Sequence, residues 1–176
     1  MIRTPYEIRV GELLKEKNLK LVLAESCTGG LVGNLITNIA GSSDYYLGSV
    51  TAYAYEAKEA LLGVRHDTLL KFGAVSRQTV LEMASGVRRS LAGDIPLDSI
   101  IGVSISGIAG PGGGLPDKPV GTVWFGMSTS HGDWAWRYLF HGTRLQNKRS
   151  AARTALKLVI AYLTGDLPSE TTPFDS

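Results

Sequence analysis

Only one cysteine, Cys27, stands in the 176 residues, so no disulfide can close within the chain and the fold must rest on its packed core. Histidine is nearly as scarce. His66, His131 and His141 are scattered, without metal-ligand spacing to one another or to Cys27, which argues against a structural zinc site. No apolar run approaches the roughly 18 to 20 residues of a membrane span, and residues 1–7 hold no signal-like apolar stretch. The expectation is a cytoplasmic protein with no membrane partner. An excess of one charge is lacking too: 18 Lys and Arg against 16 Asp and Glu leave +2, so a polyanion surface, and with it a nucleic acid partner, is not expected. Internal repeats, low-complexity tracts and linkers are also missing.

What remains is the composition of an ordinary globular chain, 44% hydrophobic and 19% charged. At this length one core can bury roughly 70% of the unfolded chain's surface. Residues 1–165 are expected to form a single domain, and the polar stretch 166–176 a loose tail.

The apolar pattern alternates between two periods. Ile8, Val10, Leu13 and Leu14 trace a helical stripe, and Leu21 to Ala24 reads as a buried strand. Leu31, Leu35, Ile36 and Ile39 recur at helical spacing, followed by a β-forming stretch at 48–54 and a helix-forming one at 56–62. Val80, Met83, Ala84 and Val87 mark a helix with Ser76 as its N-cap. A second buried strand falls at 100–106, a hairpin at 121–140 turning near Ser130 to Asp133, and a helix at 149–163. This order predicts a three-layer α/β/α sandwich with a mostly parallel, mixed sheet.

Two hydroxyl-and-glycine turns follow the apolar strands directly. One is Ala24-Glu25-Ser26-Cys27-Thr28-Gly29-Gly30, the other Ser104-Ile105-Ser106-Gly107-Ile108-Ala109-Gly110-Pro111-Gly112-Gly113-Gly114. In an open α/β sheet such turns lie where ligands bind, and their exposed backbone N–H groups suit an anionic or phosphorylated small molecule. Familiar sites are excluded: the second run lacks the Lys-Ser/Thr ending of a P-loop and the dinucleotide spacing, and Gly-x-Ser-x-Gly is absent. A set of hydroxyls with one amine is left, namely Ser26, Ser42, Ser43, Tyr53 and Lys58. A lysine of lowered pKa can deprotonate a serine, with a tyrosine relaying the proton. On spacing alone the same residues serve equally as a turn cap, a core tyrosine and a solvated lysine.

The two turns, together with Ile39-Ala40-Gly41-Ser42-Ser43, Phe72-Gly73-Ala74-Val75-Ser76 and Lys118-Pro119-Val120-Gly121-Thr122-Val123, resemble the C-terminal domain family of the competence/damage-inducible protein CinA, in order and over nearly the whole chain. Stand-alone members of that family include nicotinamide-nucleotide amidohydrolases. The resemblance implies hydrolysis of the carboxamide of nicotinamide mononucleotide to nicotinate mononucleotide and ammonia, by a Ser/Lys mechanism with no metal or cofactor, in pyridine-nucleotide recycling. It implies Ser43 as nucleophile, Lys58 as base, Tyr53 as relay and Ser26 as a supporting hydroxyl, with Thr28, Gly29, Gly30, Ser106, Gly107 and Arg144 near the substrate.

This chain departs from the family pattern in two places. Tyr55 stands where relatives carry asparagine in Tyr-Ser-Asn-x-x-Lys, and Thr143 where they carry the aspartate of Gly-Asp-Arg. Two further readings follow from those departures: a nucleotide-binding module without hydrolysis, or an amidase for another small carboxamide. Cys27 is a rival nucleophile, Glu25 a partner for Lys58 or for a helix start, and Lys118 a loop charge or a ligand contact. A homo-oligomer is expected, because relatives self-associate and the hairpin offers a sheet edge.

Overall fold

The computed structural model describes residues 4–170. Among these residues six α-helices and five strands follow in the order α1 (Tyr6–Glu16), β1 (Lys20–Glu25), α2 (Leu31–Thr37), β2 (Tyr46–Thr51), α3 (Tyr55–Leu62), α4 (His66–Phe72), α5 (Arg77–Ser90), β3 (Ile100–Gly107), β4 (Thr122–Thr129), β5 (Gly132–Leu139) and α6 (Arg144–Thr164). The sheet has the order β2-β1-β3-β4-β5. β1 pairs in parallel with β2 and β3, and the ladders from β3 to β4 and from β4 to β5 are antiparallel. Four of the five strands therefore run one way, with β4 reversed.

Burial on both faces explains the sequence of the central strands. In β1, Leu21 and Leu23 join one apolar layer while Val22 and Ala24 join the other, so the strand reads as a continuous apolar run. The first layer packs α1, α2 and α6 against the sheet, and the second packs α3, α4 and α5. Helix α5 lies close: a Cβ on Gly102 would stand 2.4 Å from Ala84 O, and one on Gly126 2.4 Å from Val80 O. Neither position has room for a side chain.

Three local outcomes differ from the sequence reading. Helix α4, seven residues between Gly63 and Gly73, falls in a stretch to which the sequence pattern assigned no element, being too short for a clear helical stripe. Helix α6 begins at Arg144, five residues before its expected start, since a capping box links Thr143 to Gln146 and carries a polar first turn. The described part of the stretch expected to be loose is tied down: Trp136 Nε1 donates to Pro168 O at 3.1 Å, and Glu170 accepts from Ala135 N at 2.8 Å and pairs with Arg77 at 3.0 Å. Those contacts cover part of the outer edge of β5, so the hairpin edge is not bare. Residues 171–176 of the expected tail lie outside the described residues.

Connections leave the carboxyl ends of β1 and β2 toward opposite faces, the first into α2 and the second into α3. Such a divergence opens a crevice at the strand ends.

Candidate active site

Ser26 is the first residue past β1. Its backbone N–H donates to Ile105 O at 2.9 Å, which prolongs the ladder between β1 and β3 and fixes the side chain at the crevice. Lys58 reaches the same point from the first turn of α3. Its Nζ donates to Ser26 Oγ at 3.1 Å, Ala52 O at 2.8 Å and Tyr53 O at 2.9 Å. The lysine is fully buried, with 0% of its surface exposed, and no carboxylate pairs with it among the described residues. Burial pushes its pKa down from 10.5 to about 8. At pH 7 roughly one such amine in ten is then neutral.

The three acceptors around Nζ match the three donors of the ammonium, and they accommodate the neutral amine as well. Deprotonated Lys58 keeps two N–H groups, which match the carbonyls of Ala52 and Tyr53, and its lone pair then faces the Ser26 hydroxyl. The Ala52 loop is itself held by Ala52 N donating to Glu25 O at 2.9 Å.

Glu25 does not orient Lys58. Its buried carboxylate accepts from Val32 N at 3.1 Å and from Gly33 N at 2.9 Å, so it caps the start of α2. Cys27 is no rival nucleophile: it is 4% exposed, and burial pushes its thiol up to about 12, leaving almost no thiolate near neutral pH.

Ser43 stands elsewhere. It lies exposed in a 3-10 turn, Ser42–Asp44, that precedes β2, whereas Lys58 follows β2. The six-residue strand between them is about 20 Å long. Within one chain Ser43 and Lys58 cannot touch, so the pairing that the resemblance implied is corrected: the hydroxyl on Lys58 is that of Ser26. A motif match preserves the order of residues without saying which end of a strand each occupies.

The remaining expected residues gather at the carboxyl edge of the sheet with unequal roles. Gly29 and Gly30 adopt left-handed backbone, φ 64° and 88°, and Thr28 is buried beside them with its Oγ1 lacking a hydrogen-bond partner among the described residues. Ser106 donates to Ala74 O at 2.8 Å and so ties β3 to the loop before α5. Gly107 is pressed against β4, a Cβ there falling 2.6 Å from Val123 Cγ2. Arg144 bridges two loops, donating to Gly110 O at 2.7 Å and to the hydroxyl of the exposed Tyr53 at 3.2 Å. Tyr55 accepts from Ala74 N at 3.2 Å, so the bulky phenol braces α3 against the loop after α4. Lys118 donates to Phe72 O at 2.8 Å and acts as a loop tie.

Two residues on α6 escaped the sequence reading. Asn147, 2% exposed, donates to Ala109 O at 3.1 Å and accepts from Gly142 N at 2.9 Å, pinning the second glycine turn. Lys148 extends over the first, where a Cβ on Gly29 would stand 3.5 Å from its Nζ. The capping pattern Thr143-x-x-Gln146 carried the signal, since it starts the helix early enough to set Arg144, Asn147 and Lys148 on one face. Among the described residues no three His, Cys, Asp or Glu side chains are grouped to hold a metal ion, and no helix is long and apolar enough to cross a membrane.

Comparison with known proteins agrees with this architecture. The family model described as the CinA C-terminal domain matches residues 3–163. A CinA-like protein of Salinibacter ruber is 46% identical over 151 residues, covering 86% of this chain and 35% of that protein. The chain thus spans about a third of the length of the CinA-like proteins it matches. A protein of Shigella flexneri named nicotinamide-nucleotide amidohydrolase PncC is 45% identical over 150 residues, 85% of this chain and 87% of the relative. Among solved structures, a CinA superfamily protein of Klebsiella pneumoniae superposes with a TM-score of 0.84 at 34% identity, covering 91% of this chain and 96% of that one.

Proposed function

The chain belongs to the CinA C-terminal domain family, and from that premise we propose that it is a serine amidohydrolase acting on the carboxamide of a nicotinamide mononucleotide, with Ser26 as nucleophile and Lys58 as base. The observation that carries this reading is the buried lysine with one serine and two carbonyls as its hydrogen-bond partners. The Shigella flexneri relative, similar over 87% of its own length, is named for this substrate class and supports it.

The chemistry runs in two halves. Neutral Lys58 takes the Ser26 proton while Oγ attacks the carboxamide carbon, and the lysine then returns that proton to the departing nitrogen, releasing ammonia. An ester of Ser26 with the pyridine carboxyl group remains. Water then attacks the ester carbon, giving a proton to Lys58, and as the Ser26–acyl bond breaks the lysine passes that proton to Ser26 Oγ, leaving the acid, the free hydroxyl and the neutral amine. The Ala52 and Tyr53 carbonyls hold the amine in place throughout. Arg144 acts as a positioning residue, linking the Gly110 loop to Tyr53 at the mouth of the crevice.

Ammonia release from nicotinamide mononucleotide by the purified protein tests the reading. Ser26→Ala and Lys58→Met are each expected to lower kcat by about 10³-fold or more, since each removes a reacting group. Tight nucleotide binding with no ammonia formed by the wild-type chain would favour a non-catalytic nucleotide-binding module.

A further inference from the structure

A groove of about 410 Å³ opens at the glycine turn that starts two residues past Ser26, lined among others by Thr28, Gly29, Gly30, Leu145, Lys148 and Arg149. Its lining carries two cations and no carboxylate. Among the described residues neither Lys148 nor Arg149 forms an ion pair, although Arg9, Arg65 and Arg77 each do. The walls come from the glycine turn after β1, the start of α2 with Leu31 and Asn34, and the first turns of α6. Lacking side chains, Gly29 and Gly30 let a ligand lie directly against the backbone. Thr28, whose hydroxyl has no partner among the described residues, forms part of the same wall.

We propose that this groove is the subsite for the phosphate monoester of the substrate, held by Lys148 and Arg149 over the Gly29-Gly30 backbone. The proposal rests on the reading of Ser26 and Lys58 as the reacting pair and adds to it where the far end of the substrate lies. Thr28 is two residues from Ser26, so at most about 7 Å of chain separates their Cα atoms. A nucleotide whose carboxamide meets Ser26 therefore has its ring and sugar to span the crevice and its phosphate to enter the groove. Arg144 is the obvious rival for that phosphate, but its guanidinium already donates to Gly110 O and Tyr53 Oη. The two cations without partners lie one turn further along α6. A dianionic group between them gains charge-assisted hydrogen bonds that an uncharged sugar end does not.

The test compares nicotinamide mononucleotide with its dephosphorylated nucleoside, nicotinamide riboside, on the wild-type chain and on Lys148→Gln with Arg149→Gln. The double variant is expected to lower the nucleotide-to-nucleoside ratio of kcat/KM by about 10- to 100-fold, mainly through the KM of the nucleotide, and inorganic phosphate should cease to compete with it. An unmoved ratio, whether both substrates suffer equally or neither does, overturns the subsite. A binding measurement separates this outcome from the fate of the catalytic reading. In a Ser26→Ala background, calorimetric titration with nicotinamide mononucleotide should show the same weakening when the two cations are removed. Weakened binding upholds the subsite even if the wild-type chain releases no ammonia. Unweakened binding, or no binding of the nucleotide at all, refutes it even if turnover is normal.

Discussion

The two ends of β2 each set a lysine beside a serine-bearing segment, and only at one of them is the lysine buried against a serine hydroxyl. At the amino end Lys20, half-buried, donates its Nζ to Asp44 O next to Ser43, which is open to solvent. At the carboxyl end Lys58 is fully buried, and it faces a hydroxyl as well as two carbonyls. Residue types are nearly the same at the two ends. What separates them is desolvation, which moves the Lys58 pKa to about 8, and the crevice formed where successive strands send their connections to opposite faces. On the proposed reading, burial and placement are what make a serine and a lysine a reacting pair.

The largest effect expected from this contrast comes from removing each serine in turn. Ser26→Ala should lower ammonia release by about 10³-fold or more, while Ser43→Ala should stay within about 3-fold of the wild type in the same assay. The reverse order of effects would mean that the amino end supplies the nucleophile and would break the comparison.

A second difference concerns what holds each end in place. The carboxyl end depends on Glu25, whose buried carboxylate satisfies two N–H groups of α2, whereas the Ser42–Asp44 turn is held by backbone bonds such as Tyr45 N to Ser42 O at 3.1 Å. Glu25→Ala should destabilise the fold by about 2–3 kcal/mol in denaturant unfolding, because two buried donors lose a charged acceptor. Ser43→Ala should change stability by less than about 0.5 kcal/mol.

The smallest effect sharpens the contrast between neighbours at the carboxyl end itself. Cys27 adjoins Ser26 yet lies buried with its thiol pushed up to about 12. Alkylation of the native protein by iodoacetamide at pH 8 should run at under about 1% of the rate of a free thiol. Cys27→Ala should keep turnover within a few-fold. Rapid alkylation accompanied by loss of activity would restore the thiol as a contender.

How far all this was legible in the sequence depended on whether the signal was local. The strands, the glycine turns and the place of Lys58 in the first turn of a helix follow from period and turn chemistry, and Ile101 to Ile105 could hardly be anything but a buried strand. The Ser26–Lys58 contact spans 32 positions and depends on β1 and β2 being parallel neighbours, which no short pattern encodes. Ser43, 15 positions from Lys58, entered through the resemblance of the Gly41-Ser42-Ser43 run to the family pattern, yet an intervening strand carries it to the far edge. The role of Glu25 was open for a related reason. A carboxylate just before a helix serves a cap or a site equally well until its burial is known. Asn147 and Lys148 were hidden by a polar first turn that masked the start of α6.

Both halves of the comparison turn on the protonation of one amine. Lys58 acts as a base only when neutral, so a pKa lowered by burial places the rise of activity with pH near that value and a plateau above it. The deciding measurement is the pH dependence of kcat/KM for ammonia release from nicotinamide mononucleotide between pH 6 and pH 10. A limb rising tenfold per pH unit to a midpoint at about 8, and absent from the residual activity of Lys58→Met, is the predicted result. A profile flat across that range, or one rising without a plateau toward pH 10, would contradict the assignment of Lys58 as the buried base.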